Sequence, residues 1–117
     1  MSSNRIASRY AKALFRLNDK DLAKADSQLQ SLSTVKQLFE HPESSKILNS
    51  PIMPADLKRN LVNYALERAS APKDLSQFLA TVIDAGRVSV VPQIVSAFEK
   101  LLNEAKGVVK AEITSAV

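Results

Sequence analysis

Apolar side chains recur every three or four residues along most of the chain, the 3.6-residue period of helices that bury one face. Ile6, Tyr10, Ala13, Leu14 and Leu17 mark the first run and predict a helix over residues 4–18. Leu22, Ala25, Leu29, Leu32, Val35, Leu38 and Phe39 carry a second over 20–39, with Lys24, Asp26, Gln28, Gln30 and Ser31 expected on its exposed side. Prolines then punctuate the pattern. Pro42 suits the first turn of a short helix, 42–48, where its missing N–H is not needed; Asn49, Ser50 and Pro51 break it. Pro54 opens a fourth helix, with Asp56 favourable at its positive end and Leu57, Leu61, Tyr64, Ala65 and Leu66 as its apolar side. Pro72 opens a fifth, whose buried face is Leu75, Phe78, Leu79, Val82 and Ile83, and Gly86 stands where a left-handed cap belongs. Pro92 begins a sixth, running to about Ala105 through Ile94, Val95, Phe98, Leu101 and Leu102, with Gly107 as its stop.

Past Gly107 the period changes, and Val108 to Thr114 read as extended. One short strand is not stable alone, so this tail is expected to be frayed or to begin a further domain. The expected fold class is all-α: a six-helix bundle with a short extended C-terminal tail, the bundle over residues 1–106 and the tail over 107–117.

Composition narrows the functional classes. A chain of 117 residues is one domain by size, and 45% hydrophobic content is ordinary for a globular one. The absence of cysteine excludes disulfides, thiolate catalysis and cysteine-based metal sites. No window approaches the roughly 18 apolar residues of a membrane span, and the N-terminus lacks an apolar signal-type run. The net charge of +4 is spread among interspersed charges except at the start, where Arg5, Arg9, Lys12, Arg16 and Lys20 face only Asp19. Such a stripe is a solvated helix face, a landing site for an acidic partner helix, or a patch for nucleic acid or lipid. The interleaved aromatics of single-strand binders are missing: only Tyr10 and Phe15 lie nearby, and Tyr10 falls on the apolar face.

Nothing convergent suggests chemistry. His41, the single histidine, stands beside Pro42 between helices with no metal-ligand spacing around it. Most carboxylates fall at helix starts or on polar faces, and no nucleotide loop or nucleophile elbow is present. No catalytic residue, cofactor or metal site is expected. The small residues Ala7, Ala11 and Ala13 beside Ile6, Tyr10 and Leu14 instead suit close reception of a second helix, either within the molecule or from a partner. A helical protein-binding adaptor is thus the leading class, with a basic nucleic-acid-binding bundle as the alternative and an enzyme a distant third.

Four segments carry a resemblance. IASRYAKALF (6–15), LNSPIMPADLK (48–58), FLATVIDAGRVSVVPQI (78–94) and LLNEAKGVVKAEITSAV (101–117) resemble, in order, successive parts of the delta subunit family of F-type ATP synthase, whose mitochondrial counterpart is the oligomycin-sensitivity-conferring protein. The resemblance implies a non-catalytic stator subunit. Its N-terminal six-helix domain holds the N-terminal helix of an alpha subunit between its first and fifth helices. A C-terminal region joins the peripheral-stalk b subunits, linking the catalytic head to the stalk during proton-driven ATP synthesis. It further implies peripheral attachment at the cytoplasmic face of a bacterial inner membrane, without membrane insertion or nucleic acid. The simple N-terminus favours a bacterial over a mitochondrial origin. Carried onto this chain, the groove residues are Ile6, Arg9, Tyr10, Ala13, Leu14 and Arg16 with Leu75, Phe78, Leu79 and Val82, and Gly86-Arg87 match the family's corner. Met53 departs from a common capping serine, so the fourth helix is expected to start on Pro54 and Asp56. The stalk-binding region is expected to be absent from these 117 residues, which would then bind the alpha helix without bridging head to stalk.

Overall fold

The computed structural model describes the backbone of residues 3–18 and 21–114, and the side chains of 4–18 and 21–107. It contains six α-helices: α1 (Ser3–Arg16), α2 (Leu22–Leu38), α3 (Pro42–Asn49), α4 (Ala55–Arg68), α5 (Lys73–Asp84) and α6 (Val91–Thr114). A single 3-10 turn, Val88–Val90, joins the last two, and no strand occurs among the described residues. The all-α bundle read from the periodicity is the observed fold.

Local chemistry accounts for most boundaries. Asp21 is extended and its Oδ1 accepts from the Lys24 N–H at 3.1 Å, capping α2. Pro42 occupies the first turn of α3. Pro54 and Pro72 occupy the N-cap positions of α4 and α5, where no side chain caps; Asp56 and Asp74 supply negative charge in the first turn instead. At the end of α5, Gly86 adopts φ +74°, its N–H donates to the Ile83 carbonyl at 2.9 Å, and the Arg87 N–H donates to Val82 at 3.0 Å. This pair of bonds is a Schellman motif. The same motif ends α4, with Ser70 at φ 54°, Ser70 N–H to Glu67 at 3.1 Å and Ala71 N–H to Leu66 at 2.9 Å. A serine in that conformation carries no sequence signal comparable to a glycine.

One core runs through the bundle. Phe98 of α6 is its largest fully buried side chain and meets Phe15 of α1 edge-on, with ring centroids 5.7 Å apart. Around it lie Leu14, Leu32, Leu48, Leu75, Leu79, Ile94 and Leu102, contributed by five helices. α6 packs along α1 and α2, and α4 lies between α2 and α5. Polar ties between helices show their relative directions. Lys106 in the second half of α6 pairs with Asp26 near the start of α2 at 2.6 Å, and Lys36 near the end of α2 lines one concavity with Pro92 and Gln93 at the start of α6, so the two run antiparallel. Arg59 of α4 pairs with both Asp56 and Asp84, and Ser76 donates to Asn63 at 3.3 Å, so α4 and α5 are antiparallel too.

Three expectations are corrected. Leu17, Leu57 and Tyr64, placed on the apolar sides of the first and fourth helices, are exposed. Gln28 and Ser31, placed on the exposed side of α2, are buried. α2 touches both α4 and α6, so its buried arc is wider than one hydrophobic stripe. Gly107 does not stop α6, which continues helically to Thr114 where an extended tail was expected. A helix tolerates an internal glycine at a cost of about 1 kcal/mol, and the left-handed conformation that ends α5 is absent at Gly107. Residues 115–117 of the expected tail lie outside the described residues.

Candidate protein-docking surface

α1 presents three faces. Ala7, Ala11 and Leu14, spaced i, i+4, i+7, are at most 1% exposed and seat the helix on the core. Arg5, Arg9, Lys12 and Arg16 stand exposed along its crest. On the flank towards α5, Ile6 and Tyr10 are half-buried and Ala13 is exposed.

That flank borders a hollow of about 320 Å³ lined by Ile6, Arg9, Tyr10, Ala13 and Arg87. Tyr10 reaches across to α5, where its ring meets Phe78 edge-to-face with centroids 6.0 Å apart and an interplanar angle of 83°. Such aromatic pairs add roughly 0.5–1.5 kcal/mol beyond their buried area and hold both rings in place. The hollow therefore has an apolar floor, a small residue at Ala13 that leaves space above it, and two guanidinium groups at its rim. It can take up an apolar helix edge and orient it by charge; it offers no acid–base pair or nucleophile.

The structure sorts the ten predicted site residues. Ile6, Arg9, Tyr10 and Ala13 come together at the hollow, and Phe78 joins them through Tyr10. Arg16 is exposed further along the crest and does not line it. Leu14, Leu75, Leu79 and Val82 are core residues, each at most 1% exposed, and are removed from the surface set. Periodicity could not separate them, because a face turned to the core and a face turned to a partner repeat every 3.6 residues alike. Arg87 is the addition. The Gly86-Arg87 corner was visible in the sequence, but only the left-handed turn at Gly86 sets Arg87 against the flank of α1. Among the described residues no single helix is long and apolar enough to cross a membrane.

Comparison with known proteins agrees in one direction. The family model described as ATP synthase delta (OSCP) subunit matches residues 6–117. The ATP synthase subunit delta of Maridesulfovibrio salexigens is 33% identical over 121 residues, covering 100% of this chain and 65% of that protein. The subunit delta of Lactiplantibacillus plantarum is 36% identical over 114 residues, covering 96% of the chain and 61% of that protein. The mitochondrial ATP synthase subunit 5 of Yarrowia lipolytica is 33% identical over 109 residues, covering 92% and 50%. The chain thus spans between half and two thirds of the length of these relatives. No solved structure matches it at a significant level. With the family model covering nearly the whole chain, the chain belongs to the ATP synthase delta (OSCP) subunit family, whose members are non-catalytic subunits of that complex.

Proposed function

We propose that this chain is the alpha-subunit-binding part of an ATP synthase stator subunit, and that the hollow on the α5-facing flank of α1, closed by the turn that follows α5, receives the N-terminal helix of an alpha subunit. The observation that carries the reading is the hollow itself: an apolar floor of Ile6 and Tyr10, with the Tyr10 ring held by Phe78, opened by the small Ala13 and rimmed by Arg9 and Arg87, in a member of this family. In this reading residues 1–106 form the docking domain. Stalk b subunits are bound by the portion of the longer relatives that this chain does not span. The assembled subunit would hold head to stalk at the cytoplasmic face of the inner membrane during proton-driven synthesis. A joint of this kind must resist torque without being consumed. Apolar burial gives non-directional adhesion at roughly 25 cal/mol per Å², less the cost of ordering the partner, and rim charges oppose slippage in register.

The test is a titration of isotope-labelled chain with a peptide of roughly 20 residues from the cognate alpha N-terminus, followed by amide NMR. Saturable shifts at Ile6, Tyr10, Ala13, Phe78 and Arg87 are expected. Ala13→Trp fills the hollow from an exposed position, so it should weaken binding by roughly tenfold or more while leaving the spectrum folded. Absence of shifts at high peptide concentration, or unchanged affinity in the folded Ala13→Trp variant, overturns the assignment.

A further inference from the structure

The opposite flank of α1 borders a larger trough, about 730 Å³, between α1 and α6. Its walls are built from small side chains, Ser8 on α1 and Ser96 and Ala97 on α6, with the buried Ala7 at its base. From Pro92 to Glu104 it follows α6 for about 18 Å, at roughly 1.5 Å per residue, which is about three turns of helix. Small walls let a third backbone lie close, and three turns is the length over which such contact accumulates.

Charge selects the occupant. Lys12, Lys36 and Lys100, from α1, α2 and α6, converge on the trough. Among the described residues none of them pairs with a carboxylate, whereas Lys24, Arg59 and Lys106 all do. Three like charges around one concavity raise its positive potential, and a ligand bringing carboxylates relieves their repulsion. Glu104, the one acidic group in the lining, stands at the far end and favours a neutral or basic group there. No lining residue is aromatic, so stacked bases find no platform.

We propose that the α1–α6 trough is a second docking site, which takes an acidic helical segment of a partner protein with its carboxylates against Lys12, Lys36 and Lys100. The site does not depend on the α1–α5 assignment, since the linings of the two concavities share no residue.

The probe is a helical Ala- and Leu-rich peptide of roughly 15 residues carrying glutamates one turn apart on one face, long enough to be partly helical in water. Its control has glutamine at those positions. Titrated into labelled chain, the glutamate peptide should shift the amides of Ala7, Ser8, Ser96 and Ala97 saturably. The glutamine peptide, and a Lys12→Glu/Lys100→Glu variant whose exposed positions leave the fold intact, should each bind roughly tenfold more weakly or worse. Ala13→Trp should leave this binding unchanged, which separates the site from the one on the other flank. No saturable shifts in the trough, equal binding of the glutamine peptide, shifts confined to Ile6, Tyr10 and Phe78, or tighter displacement by a single-stranded oligonucleotide would each overturn the proposal.

Discussion

Gln28 is fully buried in α2, and neither its Nε2 nor its Oε1 meets a hydrogen-bond partner among the described residues. A buried amide left unpaired forfeits its hydration without replacement, at about 1–3 kcal/mol. Methionine has nearly the same length and flexibility and no such debt. Gln28→Met should therefore raise the unfolding free energy by about 1 kcal/mol, read from the denaturant midpoint at unchanged slope; a loss of stability would mean that the amide is satisfied in solution. The polar character of Gln28 is what put it on the wrong side in the sequence, as it did Ser31, whose hydroxyl is satisfied locally by the Ser27 carbonyl at 3.3 Å. The same limit applied to the site residues. Ile6, Tyr10 and Ala13 were legible as a set because they share a flank of α1, but Leu14, Leu75, Leu79 and Val82 carry the same period and face the core.

At the scale of elements, what was legible followed from rigid local chemistry. Proline fixes its own φ, so Pro42, Pro54, Pro72 and Pro92 marked helix starts to within a residue or two. Glycine is permissive rather than prescriptive, and its two occurrences behave differently. Gly86 is left-handed at φ +74°, whereas Gly107 sits inside α6, and a methyl group added at either would meet nothing within 4 Å. With contacts equal, backbone conformation alone decides the sign. Gly86→Ala should destabilise by about 1 kcal/mol, and Gly107→Ala should leave stability unchanged or raise it by up to ~1 kcal/mol while increasing helical circular dichroism. Were Gly107 the helix stop that the sequence suggested, Gly107→Ala would destabilise like Gly86→Ala. Ser70, the left-handed cap of α4 that no sequence rule marks, supplies the converse: Ser70→Gly should stabilise by several tenths of a kcal/mol.

At the scale of the whole molecule, six amphipathic helices in short connection specified a bundle, but not which flanks of α1 would remain open. That depends on how α6 seats beneath it, and Phe98 is the residue on which that seating turns. Its ring is fully buried and meets Phe15 of α1, while the residues around it come from helices on every side of the bundle. Phe78, half-buried, serves one flank only, through Tyr10. The two phenylalanines should therefore fail differently. Phe98→Ala should cost about 3–5 kcal/mol, a large share of the 5–15 kcal/mol that holds a domain of this size together. Because one core carries both open flanks, amide-exchange protection in α1, α2 and α6 should fall together by that amount, and both peptide sites should weaken in parallel. Phe78→Ala removes a partly exposed ring, so it should cost less, leave α2 protected, and impair the α1–α5 hollow while sparing the α1–α6 trough. If Phe98→Ala lowered protection in α6 alone, the bundle would be two weakly joined layers rather than one cooperative body, and the two docking surfaces could not be treated as faces of a single rigid helix.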